Sequence, residues 1–301
     1  MAADARTSTL TGVPALPPLL ARGALLSPFK RPRPDAEFPR TRLVLPGLRA
    51  DLARLAAYER VCGLPAGAPT LPLTYPHVMG FPLAMRLMSG RDFPLPLLGL
   101  VHTSLTVTRH AAMPAGAAHE LTVRIAGLAP HRRGTEATVI TEARTGGTVI
   151  WESSSTYLAR HRTAPDAGGH DETEARERPR DETREEAREV RAVLPVRGEW
   201  RVGGDLGRRY GAASGDRNPI HLHPLTARLF GFPRTVAHGM WTVARCLAEH
   251  GVPEAVTVRA LFRAPVLLPG TVLYAAEGGR FALLGPGEPG RTHLTGEVYP
   301  A

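Results

Sequence analysis

The segment best suited to chemistry is the string YGAASGDRNPIH, which covers residues 210–221. Asp216 and His221 lie five residues apart in it, separated by an Asn-Pro pair. Because proline cannot continue a regular helix, the two side chains must lie on a turn that leads into a new helix. Such a turn can direct both groups at one point. A carboxyl group and an imidazole that meet at one water molecule form a general acid–base pair, which suits the addition or removal of water.

The same residues also suit a purely structural turn. In a Gly-Asp-x-Asn-Pro sequence, Asp216 or Asn218 can accept hydrogen bonds from backbone N–H groups, and His221 is then an ordinary residue of a first helical turn. Taken alone, the Asp-x-Asn-Pro motif favours this interpretation. The rest of the string and the sequence downstream of it favour the chemical one.

A helix is predicted from His238 to His250, ended by Gly251 and Pro253. Its first backbone N–H groups lack partners within the helix and lie at the positive end of the helix dipole. Glycine at position 239 would let a carbonyl group of a ligand approach the backbone there. A hydrogen bond to negative charge that develops on such an oxygen would contribute about 3 to 4 kcal/mol. Gly239 is equally explained by a close contact between this helix and a neighbour.

The elements around these residues follow the same order twice, on either side of a charged segment at residues 164–190. In each half one apolar helix precedes four runs with strand-like patterning. The first half has a helix at Tyr75–Ser89 and runs at His102–Arg109, Glu120–Ala126, Thr135–Ala143 and Thr148–Arg160. The second half has the helix at His238–His250 and runs at Ala255–Phe262, Thr271–Ala276, Arg280–Leu284 and Thr292–Tyr299. A further helix is predicted at Arg49–Cys62, stopped by Gly63.

A long apolar helix followed by antiparallel strands is typical of a hot-dog fold, in which a bent sheet wraps a buried helix. We therefore predict an α+β double hot-dog, with two bent antiparallel sheets that each wrap a central helix. The predicted divisions are a flexible N-terminal extension (1–35), an N-terminal hot-dog (36–163), a charged linker (164–190) and a C-terminal hot-dog (191–301). Two copies in one chain resemble a dimer formed within one molecule. Whether two chains pair further is left open.

The string 210–221, continued by LHPLTA at 222–227 and GFPRTVAHGM at 231–240, resembles the signature of the MaoC-like, or hydratase 2, branch of the hot-dog superfamily. The layout from about Phe38 to Tyr299 is similar to that of its two-hot-dog actinobacterial members. The resemblance implies hydration of trans-2-enoyl thioesters to (3R)-hydroxyacyl thioesters, or the reverse dehydration. The substrate would be carried on coenzyme A or acyl carrier protein, and no metal or redox cofactor would be used.

The resemblance also implies roles for single residues. Asp216 and His221 would hold and activate the water, Asn218 would support the turn, and the Gly239 N–H would receive the thioester oxygen. The rest of the string, including Gly215, Ser214 and Tyr210, would belong to the supporting residues of the site.

The first half contains no Gly-Asp-x-Asn-Pro-x-His string, which implies one active site per chain and an N-terminal half that opens a pocket for the acyl chain. His77 is interpreted as an ordinary helix-start residue because no acidic residue lies beside it. No role is assigned to His223. Two alternatives stay open: a hot-dog thioesterase, and a subunit that binds acyl thioesters without catalysis.

Composition narrows the function classes. The chain has 301 residues and a formal charge of +9, yet Lys30 is its only lysine and its arginines do not cluster with aromatic residues, so a nucleic-acid partner is not expected. Cys62 and Cys246 lie far apart without metal-ligand spacing, which disfavours a disulfide scaffold and a thiolate zinc site. Prolines and Arg22 interrupt the apolar stretch 10–26, so neither a signal peptide nor a membrane span is expected, and a cytoplasmic location is predicted.

Overall fold

Two long helices and two antiparallel meanders build most of the chain in the computed structural model, which describes residues 6–162, 190, 194–287 and 290–301. The helices are α1 (Leu16–Leu26), α2 (Leu52–Cys62), α3 (Tyr75–Met88), α4 (Leu206–Ser214), α5 (Pro219–Leu222), α6 (Pro224–Leu229) and α7 (Gly239–His250), with a 3₁₀ turn at Ser27–Phe29. The strands are β1 (Thr7–Thr9), β2 (Arg42–Arg49), β3 (Val101–Arg109), β4 (Ala118–His131), β5 (Gly134–Thr145), β6 (Thr148–Arg160), β7 (Val196–Val202), β8 (Val256–Phe262), β9 (Gly270–Glu277), β10 (Arg280–Leu284) and β11 (Thr292–Pro300).

The strand order shows that the two halves repeat one topology. The described strands form one sheet in the order β1-β2-β4-β5-β6-β3-β8-β11-β10-β9-β7. In each half the strand before the long helix lies at the outer side and the strand directly after that helix lies at the centre. The central strands β3 and β8 pair antiparallel, from Ser104 with Leu261 to Arg109 with Val256. The two predicted sheets are therefore joined into one continuous sheet, and the predicted double hot-dog layout is confirmed.

Both long helices are buried because a bent meander packs against each of them. In α3, Pro76 lies in the first turn, where a missing N–H costs no helical hydrogen bond. Leu83, Met85 and Met88 of this helix are at most 4% exposed. In β4, Leu121, Val123 and Ile125 lie in the core on one face of the strand.

The prediction of a flexible extension over residues 1–35 is wrong for residues 6–35. β1 pairs in parallel with β2, and Leu19 of α1 lies in the core beside α3. Pro17 and Pro18 interrupt the apolar stretch of the sequence, but they do not prevent a helix, because they lie in the first turn of α1, where proline is tolerated. Lys30 then fixes the end of the segment, since its Nζ donates hydrogen bonds to the carbonyl oxygens of Gly90, Arg91 and Phe93 at 2.6 to 2.9 Å.

The charged linker predicted at 164–190 lies, apart from Val190, outside the described residues, so the linker and the division into two hot-dog units at 36–163 and 191–301 stay predictions. Cys62 and Cys246 are free and buried. Among the described helices, none is both long and apolar enough to cross a membrane. The cytoplasmic location stays a prediction.

Candidate functional site

Asp216 lies on the turn between α4 and α5, as the sequence predicts. Gly215 ends α4 with φ 84°, a conformation that glycine adopts without strain. The Ser214 hydroxyl accepts a hydrogen bond from the Asp216 N–H at 3.2 Å, and Asp216 Oδ1 accepts one from the Asn218 N–H at 3.1 Å. Asn218 in turn caps α5, with its Oδ1 3.5 Å from the Ile220 nitrogen. The turn therefore fixes the direction of the carboxyl group.

His221 enters the same site from the short helix α5. Its Nδ1 lies 2.7 Å from the carbonyl oxygen of Val236. Because a carbonyl oxygen only accepts, Nδ1 must carry the proton, and Nε2 of the neutral ring is left as a proton acceptor. The backbone at this point is tightly packed, since a Cβ on Gly207 of α4 would overlap the His221 carbonyl. The imidazole is thus held with its basic nitrogen free for chemistry.

His238, to which the sequence analysis gave no role, is the third member of the site. It precedes α7, is 2% exposed, and donates from Nε2 to the main-chain oxygen of Asp216 at 2.9 Å. Its ring stacks on that of His221 with centroids 3.7 Å apart, and the buried ring of Tyr210 lies 4.7 Å away on another side. The only sequence signal for His238 was its place directly before Gly239 in the string at 231–240.

Burial sets the protonation of the three polar groups. Loss of water raises the pKa of the Asp216 carboxyl, an effect that His221 and the Asn218 N–H oppose. The side chain of Asp216 is 30% exposed, and Asp216 lines a cavity. Burial lowers the pKa of His221 against the opposing effect of Asp216, and lowers that of His238 further because His221 adds to the effect. The site therefore pairs a neutral imidazole with a carboxyl that holds a proton more readily than one in water.

Gly239 is the first residue of α7 and lines the cavity beside Asp216 and His221. The first intrahelical bond of α7 runs from the Thr242 N–H to the His238 carbonyl, so the Gly239 N–H has no acceptor one turn earlier. A Cβ at position 239 would lie 2.9 Å from Cε1 of Phe262. The Phe262 ring therefore leaves little room for a side chain at position 239, and the small size of glycine also leaves the backbone N–H open to a ligand.

The cavity that these residues line has a volume of about 840 Å³ and extends through both halves of the chain. Part of its wall is apolar. We call this part the apolar chamber; its walls come from α1, α3 and the segment before β3, through Leu20, Ala24, Phe81, Met85, Met88, Leu97 and Leu100. Arginines also line the cavity, at positions 132, 133, 160, 217 and 263. The N-terminal half thus supplies a substantial part of the wall around the site.

Three polar rings connect the chamber to Asp216 and Gly239. His77 of α3 is near-parallel to His102 of β3 with centroids 6.0 Å apart, and His102 lies 4.6 Å from both Tyr157 and Phe262. Burial lowers the pKa of His77 to about 4 and that of His102 to about 3, so both are neutral at pH 7. His77 is therefore more than an ordinary helix-start residue, because it lines the cavity. His223, to which no role is assigned from the sequence, caps the helix α6, because its Nδ1 accepts a hydrogen bond from the Leu225 N–H.

Asp216, His221 and His238 could in principle hold a cation, because one ligand atom from each lies within 4.8 Å of the others. Each histidine donates from one nitrogen to a carbonyl oxygen. The nitrogens left as acceptors are Nε2 of His221 and the buried Nδ1 of His238, and they lie beside the Asp216 carboxyl. Histidines that bind metals make the same donations, so this geometry is compatible with an acid–base site and with a metal centre, and the absence of a metal or other cofactor stays a prediction.

Comparisons with known proteins agree with this geometry. The profile of the MaoC like domain matches residues 183–277. A protein named 3-hydroxyacyl-thioester dehydratase X, from Mycobacterium tuberculosis, is 37% identical over 250 residues, which are 82% of this chain and 84% of the relative. The crystal structure of HtdX of M. tuberculosis superposes with a TM-score of 0.70 at 34% identity, covering 86% of this chain and 100% of that one. A MaoC-like dehydratase from Phytophthora capsici shares the fold, with a TM-score of 0.64 at 16% identity over 86% of this chain and 95% of that one.

The fold and the site together define a double hot-dog protein with one dehydratase-type motif, placed in its second half. The identity and coverage of the mycobacterial relative show that this chain belongs to the family of MaoC-like dehydratases.

Proposed function

We propose that this protein is a hydro-lyase that adds water to trans-2-enoyl thioesters and removes it from (3R)-hydroxyacyl thioesters. One observation carries the proposal: Asp216, His221, whose Nε2 is left as an acceptor, and Gly239 at the start of α7 all line the same cavity. These are the groups that the reaction needs, namely an acid, a base and a donor for the enolate oxygen. The name of the mycobacterial relative supports the same reaction class.

In the hydration direction, Nε2 of His221 removes a proton from a water molecule while the oxygen of that water bonds to C3 of the enoyl group. The C2–C3 π electrons move toward the thioester, and the Gly239 N–H stabilises the negative charge on the thioester oxygen. Asp216 in its protonated form then gives a proton to C2. A proton passes back from His221 to Asp216, and the pair is restored. Dehydration follows the same steps in reverse.

Ser214, Gly215 and Asn218 are proposed to act on Asp216 alone, through the turn that they fix. Tyr210 supports the site through the ring of His238. The acyl chain is proposed to lie in the apolar chamber. The arginines of the cavity wall suit the phosphates of coenzyme A or of a phosphopantetheinyl carrier, because a guanidinium binds phosphate oxygens in pairs. Coenzyme A and acyl carrier protein present the same pantetheine arm, so the proposal includes the thioesters of both carriers as substrates.

The assay that tests the proposal follows the ultraviolet absorbance of a conjugated enoyl-CoA, with a thiol reagent in a parallel sample and chiral analysis of the product. We expect the absorbance to fall without release of thiol, and the product to be the (3R) alcohol. Release of thiol would indicate the hot-dog thioesterase instead. Binding without either change, also with substrates on acyl carrier protein, would indicate a subunit that binds thioesters without catalysis.

A further inference from the structure

The helix α1 was not expected from the sequence, yet it contributes to the wall of the cavity. Leu20 and Ala24 lie one turn apart on α1 and both line the apolar chamber. On another side of the same helix, Leu25 is 74% exposed. The helix therefore has one side on the chamber and another side in water.

The position of α1 along α3 shows how far this wall lies from the reacting groups. The N-terminal end of α3 is close to the site, because His77 is near His102, His102 contacts Phe262, and Phe262 packs on Gly239. Residues 77 and 88 both line the cavity, and eleven residues of helix span about 16 Å. An acyl chain that runs along α3 from the site therefore approaches the C-terminal end of that helix.

The helix α1 is fastened at that distant end. Arg22 donates from Nη2 to the Arg86 carbonyl at 3.2 Å and to the Ser89 hydroxyl at 2.8 Å. Lys30 holds the three carbonyl groups of Gly90, Arg91 and Phe93, which follow α3 directly.

A second set of contacts fixes α1 against the segment before β3. The Ser27 hydroxyl donates to the Gly23 carbonyl and accepts the Leu98 N–H at 3.0 Å. A Cβ on Gly23 would overlap the side chain of Leu97. These contacts fix the position of α1 within the wall of the chamber.

We propose that α1 limits the length of the acyl chain that the chamber accepts, because Ala24 and Leu20 contact the distal end of the chain. This inference rests on the proposed function, because it concerns the same substrate. The size of the side chain at position 24 would set the longest acyl chain that the chamber accepts. The hydrogen bonds of Lys30 would prevent α1 from moving outward to admit a longer chain. The substrates concerned are thioesters with an unbranched apolar chain long enough to reach the end of α3.

The test compares Ala24→Phe with Leu25→Phe, which adds an aromatic ring on the side of α1 that faces water. We would measure kcat/KM with trans-2-enoyl-CoA of four, eight and twelve carbons. Ala24→Phe should lose at least tenfold on the twelve-carbon substrate and change less than about twofold on the four-carbon one, since only the longer chain reaches the new ring. Leu25→Phe should keep the wild-type profile.

Two further variants extend the test. Leu20→Ala should raise the ratio of twelve-carbon to eight-carbon activity, because it enlarges the chamber. Lys30→Met should weaken discrimination among long chains while four-carbon activity stays close to wild type. A folded Ala24→Phe protein, judged by its melting temperature, that keeps the wild-type chain-length profile or loses activity equally at all lengths would overturn the inference.

The proposed function can fail separately, and a second measurement covers that case. If the wild-type protein hydrates no enoyl-CoA, titration calorimetry with saturated acyl-CoA of the same three lengths replaces the kinetic assay. Loss of affinity in Ala24→Phe only for the longest chain would uphold the role of α1. Equal affinities for wild type and Ala24→Phe at every length would reject it.

Discussion

The rings of His221 and His238 are stacked with centroids 3.7 Å apart, and each ring donates one hydrogen bond to a main-chain carbonyl on a different segment. His221 donates to Val236, which lies just before α7, and His238 donates to Asp216, on the turn after α4. The two segments are thereby cross-linked at the site. The mutual orientation of Asp216 and His221 is therefore determined by His238 as well as by the turn that carries them.

The first prediction concerns His238 as a positioning residue. His238→Phe keeps a ring for stacking but leaves the partly buried Asp216 carbonyl without its donor, which should lower the free energy of unfolding by about 0.5 to 1.5 kcal/mol. We expect kcat for hydration to fall at least tenfold while KM changes little, since the cavity that binds the chain is intact. Steady-state kinetics and a urea titration measure both effects. If kcat is unchanged in a folded variant, His238 has no influence on Asp216.

The acid–base pair is tested by Asp216→Asn and His221→Asn. Each should lower kcat by about 10²- to 10⁴-fold, because each removes one positioned proton transfer. The matched controls are Asp205→Asn and His223→Asn, which replace an exposed carboxyl near the start of α4 and a helix-capping histidine two residues from the site. Both controls should retain activity within about twofold. Near-wild-type turnover in a folded Asp216 or His221 variant would contradict the assigned roles.

Much of the site could be predicted because its determinants are local. The Gly215 turn, the Asn218 cap and the proline that starts α5 all depend on neighbours within a few residues, so the string at 210–221 fixes the place of Asp216 almost by itself. The role of His238 could not be predicted from the string, because its partner is 22 residues away and the contact forms only when α7 is in place.

The missed elements share a weak local pattern. Pro46 and Gly47 interrupt β2, and its register with β4 shifts between Leu45 and Leu48. β7 is an exposed edge strand with the sequence VRGEWRV. Its charged residues protect the edge of the sheet, but they also remove the alternation of apolar and polar residues by which a strand is predicted. α1 looked like an irregular segment because of its prolines. The residues of each of these elements favour its secondary structure only weakly. Each element is stabilised by contacts with a segment that is distant in the sequence.

Gly239 offers a test of close packing at the start of α7. Gly239→Ala keeps the backbone N–H but places a methyl group 2.9 Å from Phe262, and overpacking of this kind lowers the free energy of unfolding by about 1 to 3 kcal/mol. We expect kcat to fall as well, because the Phe262 ring and the helix start must move apart. The double variant Gly239→Ala/Phe262→Leu should recover stability relative to the single alanine variant. A double variant whose losses simply add would show that the two residues do not interact.

Two cavity-lining histidines of the N-terminal half, His77 and His102, predict how stability depends on pH. The folded-state pKa values of His77 and His102, about 4 and about 3, lie below the value of 6.5 for an exposed histidine. Between these limits the unfolded chain binds more protons than the folded one, so the free energy of unfolding should decrease as the pH falls from about 6.5 toward 4. Urea titrations at successive pH values would measure the slope. His102→Phe should reduce the slope by up to one proton. An identical slope in His102→Phe and wild type would show that His102 becomes protonated as readily in the folded protein as in the unfolded chain.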